Sequence, residues 1–132
     1  SKYIDQVMLY NNQSPYTIAL IVPNKDALKR KLSFSNLTLD TEEGRKAALK
    51  KMEEELNKYK KGGEFEGMFP ERWLPSTFAI LPEPFTEQNQ MINSTMKMVR
   101  GKIEKAYADR IDYLYTPEGK QILNEKNLEC IK

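Results

Sequence analysis

Residues 77–115 read TFAILPEPFTEQNQMINSTMKMVRGKIEKAYADRIDYLY, and the order of pieces in that stretch decides the fold. Phe78-Ala79-Ile80-Leu81 is an apolar run of strand length that exits through Pro82 and Pro84, neither of which can continue a ladder. Thr86-Glu87-Gln88-Asn89 is polar and predicts a loop. Ser94 or Thr95 has the chemistry of a helix N-cap, which would place Lys97 in the first turn of a closing helix. Along that helix Met96, Val99, Ile103, Ala106, Tyr107, Ile111 and Leu114 share one face at about 100° per residue. Arg110 falls on the same face, where a snorkelling guanidinium is the expectation.

Working outward, Val7 to Tyr10 and Tyr16 to Val22 are two further strand candidates, joined by the turn-rich Asn11-Asn12-Gln13-Ser14-Pro15. The second is almost continuously apolar, which predicts a central strand covered on both faces. Pro23 ends it, and Asn24 is placed to cap a short helix carrying Ala27, Leu28 and Leu32. A longer helix should begin after Asp40, with Glu43 completing a capping box, and stop at Gly62-Gly63. Its Leu49, Met52, Leu56 and Tyr59 form a narrow stripe, and packing across its own domain accounts for a stripe this short. The segment from Gly62 to Pro75 holds Phe65, Met68, Phe69, Trp73 and Leu74, too apolar for a free tether, and should pack on the sheet edge. The sum is an α+β domain of about three strands flanked by helices.

The composition narrows the chemistry. The 132 residues suit one domain, 1–132, with a single core. Lys plus Arg number 21 against 19 for Asp plus Glu, so a net charge of +2 gives no electrostatic reason for nucleic acid or an anionic membrane. With one cysteine, Cys130, and no histidine, an internal disulfide, a His-based triad and an imidazole base are excluded. The remaining chemistry belongs to Lys, Arg, carboxylates and hydroxyls. Glu53-Glu54-Glu55 and Glu42-Glu43 are helix-face charge runs with no loop to fix a metal's geometry, so no metal site is expected. Tyr113, Tyr115 and Trp73 lack a basic stripe and read as buried rings rather than a base-stacking platform. The run Ile18-Ala19-Leu20-Ile21-Val22 is far short of a membrane span, and the first residues do not look like a signal peptide, which points to a cytoplasmic protein. The chain opens directly in an ordered pattern from Tyr3, as a fragment would.

The pieces of residues 77–115 resemble the end of AMP-forming acyl-CoA ligases of the long-chain type. In that family a segment patterned Glu-x-Asn, then Thr-x-Lys, then a basic residue carries the lysine of the adenylation step. The matching residues are Glu87, Asn89, Thr95, Lys97 and Arg100. The resemblance extends over most of the chain, including QVMLY and YTIALIVPN. It implies a C-terminal lid domain that supplies Lys97 as the catalytic residue for acyl-adenylate formation, then swings to serve thioester formation with coenzyme A. ATP, with Mg2+, and coenzyme A would be substrates of the full enzyme and a fatty acid the third. The partner would be the chain's own N-terminal adenylation domain, and the full-length enzyme would be cytoplasmic or peripheral at a membrane. The family's Gly-Arg-x-Lys-Asp hinge and its Ser/Thr/Gly-rich phosphate loop are not in this sequence, nor is G-x-x-x-x-G-K-[ST]. The resemblance therefore assigns nucleotide binding to the large domain, and the fragment alone should bind no cofactor and be inactive.

A lysine suits adenylation physically. Joining a carboxylate to the α-phosphate of ATP brings two anions together, and an ammonium on a long stem can bridge them. Gly101-Lys102-Ile103 copies the Gly-Lys-Ile of shorter-chain family members, whereas Met96 precedes Lys97. On one helix the two lysines would stand roughly 140° apart, with Lys102 more than a turn inside. The Thr-x-Lys spacing selects Lys97. The alternatives are a noncatalytic α+β module whose charged helix binds a partner, and a ligase for another carboxylic acid or for an acyl carrier protein.

Overall fold

The computed structural model describes residues 3–11, 16–59, 63, 67 and 74–131. Among them three strands form one mixed sheet: β1 (Ile4–Tyr10), β2 (Ile18–Pro23) and β3 (Thr77–Ile80), in the order β1-β2-β3. β2 runs antiparallel to β1, pairing Ile21 with Val7, and parallel to β3, pairing Leu20 with Ala79. The parallel pair is connected through two helices, α1 (Lys25–Ser33) and α2 (Glu42–Asn57). Three short helices follow β3: α3 (Arg100–Ala106), α4 (Ala108–Leu114) and α5 (Glu125–Cys130).

All six residues of β2 are buried, because both faces of the sheet are covered. On one face Ala19, Ile21, Phe78 and Ile80 pack with Leu28 and Leu32 of α1, Ala48, Leu49 and Met52 of α2, and Ile131. On the other, Met8, Ile18, Leu20, Ala79 and Leu81 meet Ile103, Ile111, Leu114, Phe85 and Ile92. Alternation along β2 thus feeds two clusters, each fully buried aliphatic side chain contributing about 1.5–3 kcal/mol. The stripe on α2 is spent on its own domain, with Leu49 and Met52 at 0% exposure.

Asn24 caps α1 as expected, its side chain accepting from Ala27 N at 3.2 Å. The cap of α2 is Thr41, whose Oγ1 accepts from Gly44 N at 3.1 Å, in place of the Asp40–Glu43 box. Gly44 is required there: a Cβ would stand 1.7 Å from the carbonyl oxygen of Thr38. α2 ends at Asn57, ahead of the glycine pair. Gly63 serves a close approach instead, since a Cβ on it would lie 2.3 Å from the Asn57 oxygen. Residues 12–15 of the first connector and most of the apolar segment 62–75, including Phe65, Met68, Phe69 and Trp73, lie outside the described residues.

The expected single closing helix is two. Tyr107, at φ −114° and ψ 24°, separates α3 from α4, and Ala106 is exposed rather than on a buried face. Arg110 does not snorkel. Its Nη1 donates to the Ile80 oxygen at 2.9 Å and to Cys130 Sγ at 3.2 Å, while Nη2 donates to Asn127 Oδ1 at 2.9 Å. Asn127 is completely buried. Its Oδ1 also accepts from Ile80 N at 2.9 Å, and its Nδ2 donates to Phe78 O at 2.9 Å and Ile122 O at 3.0 Å. The Phe78 oxygen and the Ile80 N–H lie on the same side of β3, so one amide side chain occupies the place of a fourth strand. Both its donors and both acceptor lone pairs are used.

Candidate active-site loop

The loop between β3 and α3 is fastened at both ends to β1. Gln6 Nε2 donates to Phe85 O at 3.1 Å and Gln6 Oε1 accepts from Phe85 N at 2.8 Å, a two-bond grip around a buried phenyl ring. At the far end Arg100 Nη2 donates to Leu9 O at 2.6 Å. Between them Asn89 shapes the chain: Oδ1 accepts from Thr86 N at 3.0 Å and Met91 N at 3.1 Å, and Nδ2 donates to Pro84 O at 2.9 Å. In turn Thr86 Oγ1 accepts from Asn89 N at 3.1 Å.

Beyond Asn89 the chain folds into a small hairpin rather than a helix. Ile92 and Met98 form an antiparallel bridge, Val99 N donates to Met91 O at 2.8 Å, and Asn93 N donates to Lys97 O at 2.9 Å. Asn93 and Lys97 thus flank a three-residue loop, Ser94-Thr95-Met96. A loop of this length is commonly a turn followed by a residue in the left-handed region, where glycine is the usual occupant. Here Met96 takes that conformation, at φ 64°, with 70% of its surface exposed. Gln90, at the base of the hairpin, is also left-handed, at φ 65°.

The side chain of Asn93 holds the turn. Its Oδ1 accepts from Thr95 N at 3.0 Å, Thr95 Oγ1 at 2.8 Å and Lys97 N at 3.0 Å. Ser94 and Thr95 therefore cap no helix, and Lys97 lies three residues ahead of α3, not in its first turn. The helical angle between Lys97 and Lys102 accordingly loses its meaning. Lys102, expected more than a turn inside a packed helix, is exposed in the first turn of α3, and its Nζ donates to Gln90 Oε1. Lys97 is exposed at the hairpin, and among the described residues its ammonium makes no hydrogen bond or ion pair.

Of the five residues singled out in the sequence, Asn89 and Arg100 are braces, Thr95 belongs to the turn, and Glu87 is exposed with its carbonyl accepting from Gln90 N at 3.0 Å. Sequence reasoning missed Asn93 and Gln6. Asn93 sits at the first position of a turn, where an Asx side chain commonly bonds the backbone two residues on, and that signal was available. Gln6 gave none, because its partner lies 79 residues away. At the joint between α3 and α4, burial chiefly, and then the charge of Glu83, push the Tyr107 phenol above its ordinary value. Among the described residues no group of three or more His, Cys, Asp or Glu stands ready to hold a metal ion, and no helix is long and apolar enough to cross a membrane.

The chain is 26% identical over 121 residues to long chain acyl-CoA synthetase 8 of Arabidopsis thaliana, covering 87% of this chain and 16% of that protein. It is 30% identical over 117 residues to the probable CoA ligase CCL6 of Humulus lupulus, covering 86% and 17%. Its fold matches the A-PCP didomain of carboxylic acid reductase from Segniliparus rugosus in complex with AMP, with a TM-score of 0.59, 24% identity, and coverage of 87% of this chain and 14% of that one. No protein-family model matches. Over most of its length the chain is therefore similar in sequence to an acyl-CoA synthetase and a CoA ligase, and in fold to an adenylate-forming enzyme. It spans about a sixth of the length of the two ligases.

Proposed function

We propose that the chain is the C-terminal lid domain of an ATP-dependent fatty acid–CoA ligase of the long-chain type, with Lys97 as the catalytic residue of acyl-adenylate formation. The observation that carries this reading is the left-handed backbone of Met96 immediately before an exposed Lys97. The residue ahead of the lysine holds a conformation that glycine adopts freely, which supports matching Lys97 with the lysine of the Gly-Lys-Ile in shorter-chain family members. An ammonium with that exposure can reach beyond the domain and sit between a carboxylate and the α-phosphate as pyrophosphate leaves. In this reading the nucleotide, its Mg2+ and the acid are bound by the large N-terminal domain. The lid domain contributes Lys97, then turns away for attack by coenzyme A on the acyl-adenylate. The similarity to an Arabidopsis long chain acyl-CoA synthetase and to fatty acyl-CoA synthetase B of Dictyostelium discoideum supports a fatty acid as the substrate.

In the full-length enzyme, Lys97→Ala should slow acyl-adenylate formation by about a hundredfold or more, roughly 3 kcal/mol of transition-state stabilisation. Synthetic acyl-adenylate plus coenzyme A should still give thioester near the wild-type rate, and Lys102→Ala should alter neither step much. Loss of adenylation with Lys102→Ala but not Lys97→Ala would transfer the role to Lys102. A second reading is favoured by the 27% identity to carboxylic acid reductase of Mycobacterium tuberculosis: the same lysine chemistry on a different carboxylic acid, or with a carrier protein as acceptor. A panel of acids and acceptors in the adenylation and transfer assays separates the two.

A further inference from the structure

We infer that Asn93 is the positioning residue for Lys97, acting through the backbone of the hairpin without touching a substrate. The inference rests on the reading of Lys97 just given. Three donors converge on one oxygen of Asn93, two from Thr95 and one from the N–H of Lys97 itself, at 2.8 to 3.0 Å. They bracket Met96, the residue whose left-handed backbone an L side chain adopts only under local constraint. Released from that oxygen, Met96 would relax towards ordinary φ values and carry the root of the Lys97 side chain with it. A long side chain amplifies a change at its root, and a misplacement of about 1 Å in a reacting group is enough to cost orders of magnitude in rate.

The test uses the full-length enzyme and follows both half-reactions for Asn93→Ala, Asn93→Asp, Lys97→Ala and the Asn93→Ala/Lys97→Ala double variant. Asn93→Ala should lower the rate of adenylate formation about tenfold, in kcat rather than KM, and leave thioester formation from synthetic acyl-adenylate within twofold of wild type. Asn93→Asp keeps the acceptor oxygen, and its added charge is exposed to screening, so it should stay within about threefold. The double variant should be no slower than Lys97→Ala alone, because both changes remove the same interaction. Multiplying effects in the double variant, an equal loss in both half-reactions, or an inert Asn93→Ala beside a damaging Lys97→Ala would each overturn the inference. An inert Lys97→Ala would instead bring down the underlying reading, and the inference with it.

Discussion

Asn127 and Asn93 perform the same chemistry in opposite surroundings. Each side-chain oxygen accepts backbone N–H groups, from Ile80 in one case and from Thr95 and Lys97 in the other. Asn127 is wholly buried between β3, α4 and α5, whereas Asn93 is exposed at a hairpin. Water can replace every bond that Asn93 makes, and none that Asn127 makes. A hydrogen bond made in water contributes little net stability, while a buried group stripped of its partner bears the full desolvation penalty. One asparagine therefore holds the fold together and the other sets the conformation of a few atoms. Neither role follows from residue type; burial decides between them.

The largest effect follows from the buried member. Asn127→Ala would strand the Ile80 N–H, the Phe78 oxygen and one arm of the Arg110 guanidinium, and should destabilise the chain by about 3 kcal/mol or more. Asn93→Ala should cost about 1 kcal/mol or less. Urea denaturation of both variants measures the contrast, and equal midpoints would break it.

Met96 offers a smaller and sharper version. Its side chain is exposed, so Met96→Gly forfeits little packing while relieving the left-handed backbone, and stability should rise by about 0.5 kcal/mol. Met96→Val brings a β-branched side chain to the same φ and should lower it by about 1 kcal/mol. Thermal melts distinguish the pair, and identical melting temperatures would remove the claim of strain from the hairpin.

The smallest effect belongs to Tyr107, at the joint between α3 and α4. Burial raises its phenol in the folded chain above the ordinary value of 10.0, and Glu83 adds to the rise. Below that value both states keep the proton and the contribution is complete. Above it the unfolded tyrosine ionises first, so stability falls as pH climbs towards the folded-state value. Tyr107→Phe should flatten this alkaline loss in a pH series of denaturation midpoints, and an unchanged slope would exclude Tyr107 as its source.

These contrasts also mark what the sequence could disclose. The unbroken apolar run of β2, Asn24 as a cap and the stripe on α2 are local patterns, and each became the predicted element because burial on two faces or one selects those patterns directly. The continuous apolar run Phe78-Ala79-Ile80-Leu81 likewise located β3 and with it the start of the loop. The hairpin at Lys97 was misread because a Ser or Thr ahead of an apolar stretch is the signature of an N-cap and of a turn alike. Here Asn93, one position earlier, settled it as a turn. Arg110 lay on the apolar face because a buried acceptor set awaited it, and that set is assembled from β3 and α5, distant in sequence. α5 itself escaped notice: it has six residues, and its most buried member is an asparagine, so hydrophobic periodicity is silent there.

The double attachment of the loop to β1 has a mechanical meaning. Gln6 holds Phe85 and Leu9 holds Arg100, contacts that span 79 and 91 residues of chain yet fall within one strand. The loop is thus a bracket bolted at two points to a single beam. A displacement of β1 is thus passed to the loop at both feet, chiefly through the part-buried Gln6–Phe85 pair, and Lys97 is carried along with the strand.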